Sequence, residues 1–170
     1  MKAWQRVENE ASDTCLIIVG TGSPELLDQI QAQVQSLGLQ RVRLHFRFIS
    51  TEELVALYRA ADVVVYPYRA VTTSGALATG LALAKAMVAS DLSVFRELLI
   101  NEESALLIDP RDTDRFASAL LRLAAQPNLR EAFSARIKDM QFGDRTWQSI
   151  AIKTVDTYQK ALSMPKSVHG

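Results

Sequence analysis

Apolar residues fall in five short runs separated by amphipathic stretches, and this alternation fixes the first reading of the chain. Residues 15–19, 42–46, 62–66, 87–89 and 105–108 are rich in Val, Ile and Leu, and are predicted strands. Residues 24–37, 51–60, 74–84 and 94–99 lie between them and are predicted helices. Pro24 opens the first of these and Gly38 closes it. Thr51 is the expected cap of the second. The third, from Ser74, is built of unusually small residues, which predicts close packing on a sheet. Beyond residue 108 the pattern is helical throughout, over 113–125, 128–140 and 146–162. Strands that alternate with helices imply an α/β protein with a doubly wound parallel sheet of about five strands, helices on both faces and a helical C-terminus. Ligands of such sheets bind at the carboxyl ends of the strands. The loops at 20–23, 47–50, 67–75 and 91–93 all fall on that edge.

Composition narrows the class. At 170 residues there is room for one domain with a full core, expected over 14–162, with 1–13 and 163–170 as flexible ends. Nineteen basic residues balance nineteen acidic ones, which argues against a nucleic-acid footprint. Cys15 is the single cysteine, so no internal disulfide forms, and its place at the start of an apolar run predicts a buried thiol. No apolar run is long enough to cross a bilayer, and residues 1–13 lack a signal-peptide core. The expected location is cytoplasmic, with at most a peripheral contact to the inner face of a membrane. No His, Cys and carboxylate residues stand at metal-ligand spacing.

The candidate chemistry is anion binding. Val63–Tyr66 reads as a strand covered on both faces, and Pro67 ends it. Tyr68 and Arg69 follow, then Thr72, Thr73, Ser74 and Gly75 at the start of a helix. Ser74 can cap that helix and Gly75 allows close approach of a ligand to the backbone. A helix N-terminus facing the carboxyl end of a parallel strand accepts anions, and the fork of Arg69 suits phosphate. Gly20, Thr21 and Gly22 form a second phosphate-loop candidate, equally readable as a tight turn. Glu25 stands where a dinucleotide fingerprint needs a third glycine. Arg47 either supplies positive charge or simply ends its strand. Tyr68 is expected to pack over the loop.

The order of these motifs resembles the nucleotide-sugar half of retaining glycosyltransferases of the two-domain GT-B type, group 1. The likeness rests on Gly20-Thr21-Gly22, on Phe48-Ile49-Ser50-Thr51-Glu52-Glu53-Leu54 and on Tyr58 through Pro67. It continues through Lys85-Ala86-Met87-Val88-Ala89-Ser90-Asp91, Phe95-Arg96-Glu97, Ala105 through Asp112, and the closing Trp147 to Tyr158. The Pro-Tyr-Arg and Thr-Ser-Gly loop looks most like the branch acting on surface polysaccharides and glycolipids. The resemblance implies a Rossmann-like domain that binds a nucleotide-diphosphate sugar as donor substrate, with no further cofactor. The backbone at Phe48 and Ile49 would then flank the base, and Glu97 would approach the nucleoside or serve the fold.

Two departures matter. The paired glutamates of the family fall on Val71 and Thr79, so neither carboxylate is available. A complete family enzyme also has an acceptor-binding domain, and a further strand and loop whose Arg and Lys hold the diphosphate. The expectation is therefore a donor domain working with an acceptor domain in cis or in trans, or within a homo-oligomer. The alternative is a module that has lost catalysis. A dinucleotide oxidoreductase is disfavoured, because Phe46-Arg47 stands where its acidic residue would end the second strand. In the last helix, Trp147, Ile150, Ile152, Val155, Tyr158 and Leu162 form either a docking stripe or ordinary internal packing.

Overall fold

The computed structural model describes residues 1–140 and 147–163. Residues 1–138 form one compact unit, and those from Asp139 onward form a second. The first carries the α/β elements. Among the described residues the buried side chains fall within 1–138.

The leader is the first correction. Residues 1–13, expected to be flexible, contain helix α1 (Lys2–Glu10). The sequence around it is polar, but Trp4 and Val7 recur one turn apart and are buried with Leu39 and Ala117. Glu8 is buried with them and is fully partnered: its carboxylate accepts the Trp4 indole N–H and the backbone N–H groups of Gln40 and Arg41.

Five parallel strands form, as the pattern predicts. They are β1 (Leu16–Gly20), β2 (Val42–Phe46), β3 (Val64–Tyr66), β4 (Met87–Ser90) and β5 (Leu106–Ile108). They make two ladders rather than one continuous sheet. β1 pairs with β2 in the register Ile18 to Leu44, and β3, β4 and β5 pair in that order. No ladder joins β1 to β3. Each keeps one edge outside any ladder.

The two ladders are buried differently. All four residues of β4 are buried, as a central parallel strand requires. β2 alternates between half-buried and exposed, and Ile17 of β1 is exposed. Cys15, expected to be buried, is exposed as well, because the covered apolar register begins only at Leu16.

Helices α2 (Pro24–Ser36), α3 (Thr51–Ala60), α4 (Gly75–Ala82) and α5 (Ser93–Arg96) connect the strands. Ser50 rather than Thr51 caps α3, accepting the Glu53 N–H at 3.2 Å. Helices α6 (Thr113–Ala125) and α7 (Pro127–Asp139) close the unit. Phe116, Ala119, Leu123 and Phe133 pack with Ala86, Val88 and Leu106 into the main core. Helix α8 (Trp147–Ser163) belongs to the second unit. Its Ile150, Ile152, Val155, Tyr158 and Leu162 are exposed. The side chain of Trp147, the expected helix start at Thr146 and the expected tail from Pro165 lie outside the described residues.

Candidate functional site

Strand β3 delivers Tyr66, and Pro67 ends the ladder. The chain then runs through Tyr68 and Arg69 to Ser74, whose hydroxyl accepts the Leu77 N–H at 3.1 Å and caps α4. That cap leaves the Gly75 and Ala76 N–H groups, at the positive end of the helix dipole, without partners among the described residues. An added Cβ on Gly75 would meet nothing within 4 Å, so the approach to this turn is open. Tyr68 is half-buried. Its ring lies 6.4 Å from that of Tyr66, nearly parallel, and 5.8 Å from that of Phe95. It packs over the loop.

A cleft of about 820 Å³ lies along the carboxyl ends of β3, β4 and β5. Arg69, Asp91, Arg96, Asp109, Arg111 and Thr113 line it. Arg96 and Arg111 are held in place: Arg96 forks onto Asp91, with Nη2 to Oδ2 at 2.9 Å, and Arg111 forks onto Asp109 at 3.0 and 3.1 Å. The side-chain hydrogen bond from Arg111, with help from its backbone N–H, pulls the Asp109 carboxyl down to about 2. Both guanidiniums are correspondingly pushed up by their aspartates. Arg69 differs. Among the described residues its guanidinium makes no hydrogen bond or ion pair, so its donors face solvent in the cleft.

The remaining expected residues are not all gathered here. Gly20 ends β1 with φ of +135°, a conformation that suits glycine. Thr21 and Gly22 follow, exposed. A Cβ on Gly22 would press on the Leu26 and Leu27 side chains at 3.2 and 3.4 Å, so this glycine also serves the packing of α2. Arg47 forks onto Glu53 of α3 and donates to the Phe48 carbonyl at 3.2 Å, which commits its charge to capping that loop. Phe48 is exposed (82%) and Ile49 half-buried. Thr72 and Thr73 are exposed beside Ser74. Glu97 follows α5, is exposed and has a partner of its own. Of the expected residues only Arg69 lines the cleft.

Sequence reasoning did not single out Asp91, Arg96, Asp109, Arg111 and Thr113. An Asp and an Arg flanking each of two consecutive strand ends would have been the signal. Ser90 adds a further feature at the end of β4: its hydroxyl is buried and has no hydrogen-bond partner among the described residues. Among the described residues no group of His, Cys, Asp or Glu could hold a metal ion, and no helix is long and apolar enough to cross a membrane.

Parallel strands with helices covering them, and a cleft on their carboxyl edge, define a Rossmann-like α/β domain. The C-terminal domain of a glycosyl transferase group 1 family protein from Francisella tularensis superposes with a TM-score of 0.70 at 19% identity, over 81% of this chain and 75% of that one. Anabaena HepE, solved with UDP-glucose, superposes with a TM-score of 0.71 at 16% identity, over 94% of this chain and 44% of that one. Among curated relatives, an uncharacterized glycosyltransferase of Methanocaldococcus jannaschii is 24% identical over 155 residues. That match takes in 91% of this chain and 39% of the relative, so the chain spans well under half the length of that protein. Residues 1–126 match the family model of glycosyl transferases group 1, and the chain belongs to that family, in the part corresponding to the C-terminal domain.

Proposed function

We propose that this chain binds a nucleotide-diphosphate sugar as the donor half of a retaining glycosyltransferase. The observation that carries the reading is the pairing of an open, Ser74-capped α4 turn with the unpartnered guanidinium of Arg69 on the carboxyl edge of β3. Departure of a nucleotide diphosphate leaves negative charge that fixed donors can stabilise. The Gly75 and Ala76 N–H groups and Arg69 supply such donors in place. HepE has been solved with UDP-glucose, which supports a uridine nucleotide as the first ligand to try. The acceptor, a glycan or a lipid-linked sugar on the cytoplasmic side, would be presented by an acceptor domain in cis or in trans, or within a homo-oligomer.

A second reading, a nucleotide-sugar-binding module without catalysis, is favoured by one observation. Thr79, at a family glutamate position, donates its hydroxyl to the Gly75 carbonyl at 3.1 Å and so is used within its own helix. Val71, at the other, has no polar group to offer.

Calorimetry and thermal shift against UDP, GDP, ADP and their sugar conjugates test the proposal. Ligand binding raises stability by mass action. Arg69→Ala should weaken the best ligand by about tenfold, the scale of one charge-assisted hydrogen bond. Absence of binding by every nucleotide at millimolar concentration would overturn it. Sugar transfer on addition of an acceptor domain separates the first reading from the second.

A further inference from the structure

Three elements converge on one carbonyl beside the α4 turn. The hydroxyl of Tyr66, at the end of β3, donates to the Ala76 carbonyl at 2.8 Å, and the hydroxyl of Tyr58, from α3, donates to the same oxygen at 3.0 Å. The two hydroxyls stand 3.4 Å apart. That carbonyl also lies in the α4 ladder, where residue 80 donates to residue 76, so the two hydroxyls share its remaining acceptor capacity. The other end of that same peptide unit is held too, because the Leu77 N–H donates to the Ser74 hydroxyl at 3.1 Å. A peptide is planar and stiff, so the plane between Ala76 and Leu77 is fixed at both its polar ends.

Room for this arrangement is made one turn later. Gly80 is buried, and a Cβ there would collide with the Tyr66 hydroxyl and stand 3.3 Å from its Cζ. Tyr66 itself is 3% exposed. Burial pushes both tyrosines above the ordinary phenol range, Tyr66 the further, so their hydroxyls stay protonated and remain donors. Phenylalanine would keep each ring in place and lose only the hydroxyl and its hydrogen bond. The hydroxyls therefore contribute position: they fix the first turn of α4, and with it the free Gly75 and Ala76 N–H groups, against the end of β3.

We infer that Tyr58 and Tyr66 are positioning residues that set the aim of the α4 N–H groups at the diphosphate of the donor. The ligand half of this inference rests on the nucleotide-diphosphate reading above. The fixed peptide plane is independent of any ligand.

The test compares the wild-type chain with Tyr58→Phe/Tyr66→Phe, using amide hydrogen exchange and calorimetry with UDP and with uridine. Exchange at the hydrogen-bonded amides of Leu77 and Ala78 should quicken about tenfold in the double variant, with the β3 to β5 ladder unchanged. UDP should bind about five- to tenfold more weakly, the scale of one or two lost hydrogen bonds, while uridine affinity stays put. Unchanged exchange at Leu77 and Ala78 overturns the positioning role. Equal weakening of UDP and uridine overturns it as well, since a general loosening of the domain would not spare the nucleoside. Faster exchange with unchanged UDP affinity overturns the link to the diphosphate. If the wild-type chain does not bind UDP, the nucleotide reading fails on its own, and exchange alone decides the latch. Should the double variant not fold, Tyr66→Phe and Tyr58→Phe singly carry the same measurements.

Discussion

The carboxylate of Glu8 accepts the backbone N–H of Gln40 at 2.6 Å, tying helix α1 to the turn that opens β2. The Arg41 N–H, at 3.0 Å, and the Trp4 indole, at 3.1 Å, complete its partners. Burial pushes the Glu8 carboxyl up, but the backbone donors at Gln40 and Arg41, the Trp4 indole and the Arg41 charge together bring it below the ordinary range. A depressed folded-state value adds stability above the unfolded value, about 4.3, and loses it as pH falls through the folded one. Glu8→Gln should lower stability at neutral pH by about 1–3 kcal/mol, the scale of a buried group left with a poor partner. It should also flatten the acid limb below about pH 4.3. Urea denaturation between pH 2 and 7 measures both.

Trp4 stands beside it and makes α1 part of the core. Trp4→Ala should cost about 3–5 kcal/mol, from lost burial and an unfilled cavity. A chain whose first 13 residues were merely flexible would show no change, and thermal denaturation decides between the two.

Gly80 tests the close approach of α4 to β3. Gly80→Ala places a methyl against the Tyr66 hydroxyl and should cost about 1–3 kcal/mol. Adding Tyr66→Phe should recover part of that loss, with a coupling of about 0.5–3 kcal/mol in a double-mutant cycle. Additive losses would place the strain elsewhere.

Ser90 should behave in the opposite sense. Its buried hydroxyl has no partner among the described residues, so Ser90→Ala removes an unsatisfied group and should raise stability by about 1 kcal/mol. A loss of similar size in chemical denaturation would mean that the hydroxyl is satisfied in solution.

Asp109 reports on the cleft wall. Its carboxyl, held at about 2 chiefly by Arg111, should rise toward about 3.9 in Arg111→Ala, followed by NMR titration. The sign is that of a depressed acid: any stability it adds is present above the unfolded value and is lost as pH falls through about 2. Because the pair is exposed, the change in midpoint should be small.

The sequence by itself determined the alternation of strands and helices from β1 onward and the parallel pairing of the strands. Runs such as Met87–Ala89 are apolar without alternation, as a strand covered on both faces requires. Pro67 and Ser74 fix local conformation whatever surrounds them. The Ser74 cap and the packing of Tyr68 were legible for that reason. Tertiary structure decided the rest. The polar leader became α1 because Leu39 and Ala117 lie under Trp4 and Val7, a pairing no local window contains. Arg47, promising as a strand-end arginine, was taken by Glu53. Arg111 entered the cleft because β5 lies beside β4. The two ladders, and the tyrosines meeting at Ala76, depend on contacts between residues far apart in the chain. Local propensity sets what each segment can be; only packing sets which segments, and which charges, face one another.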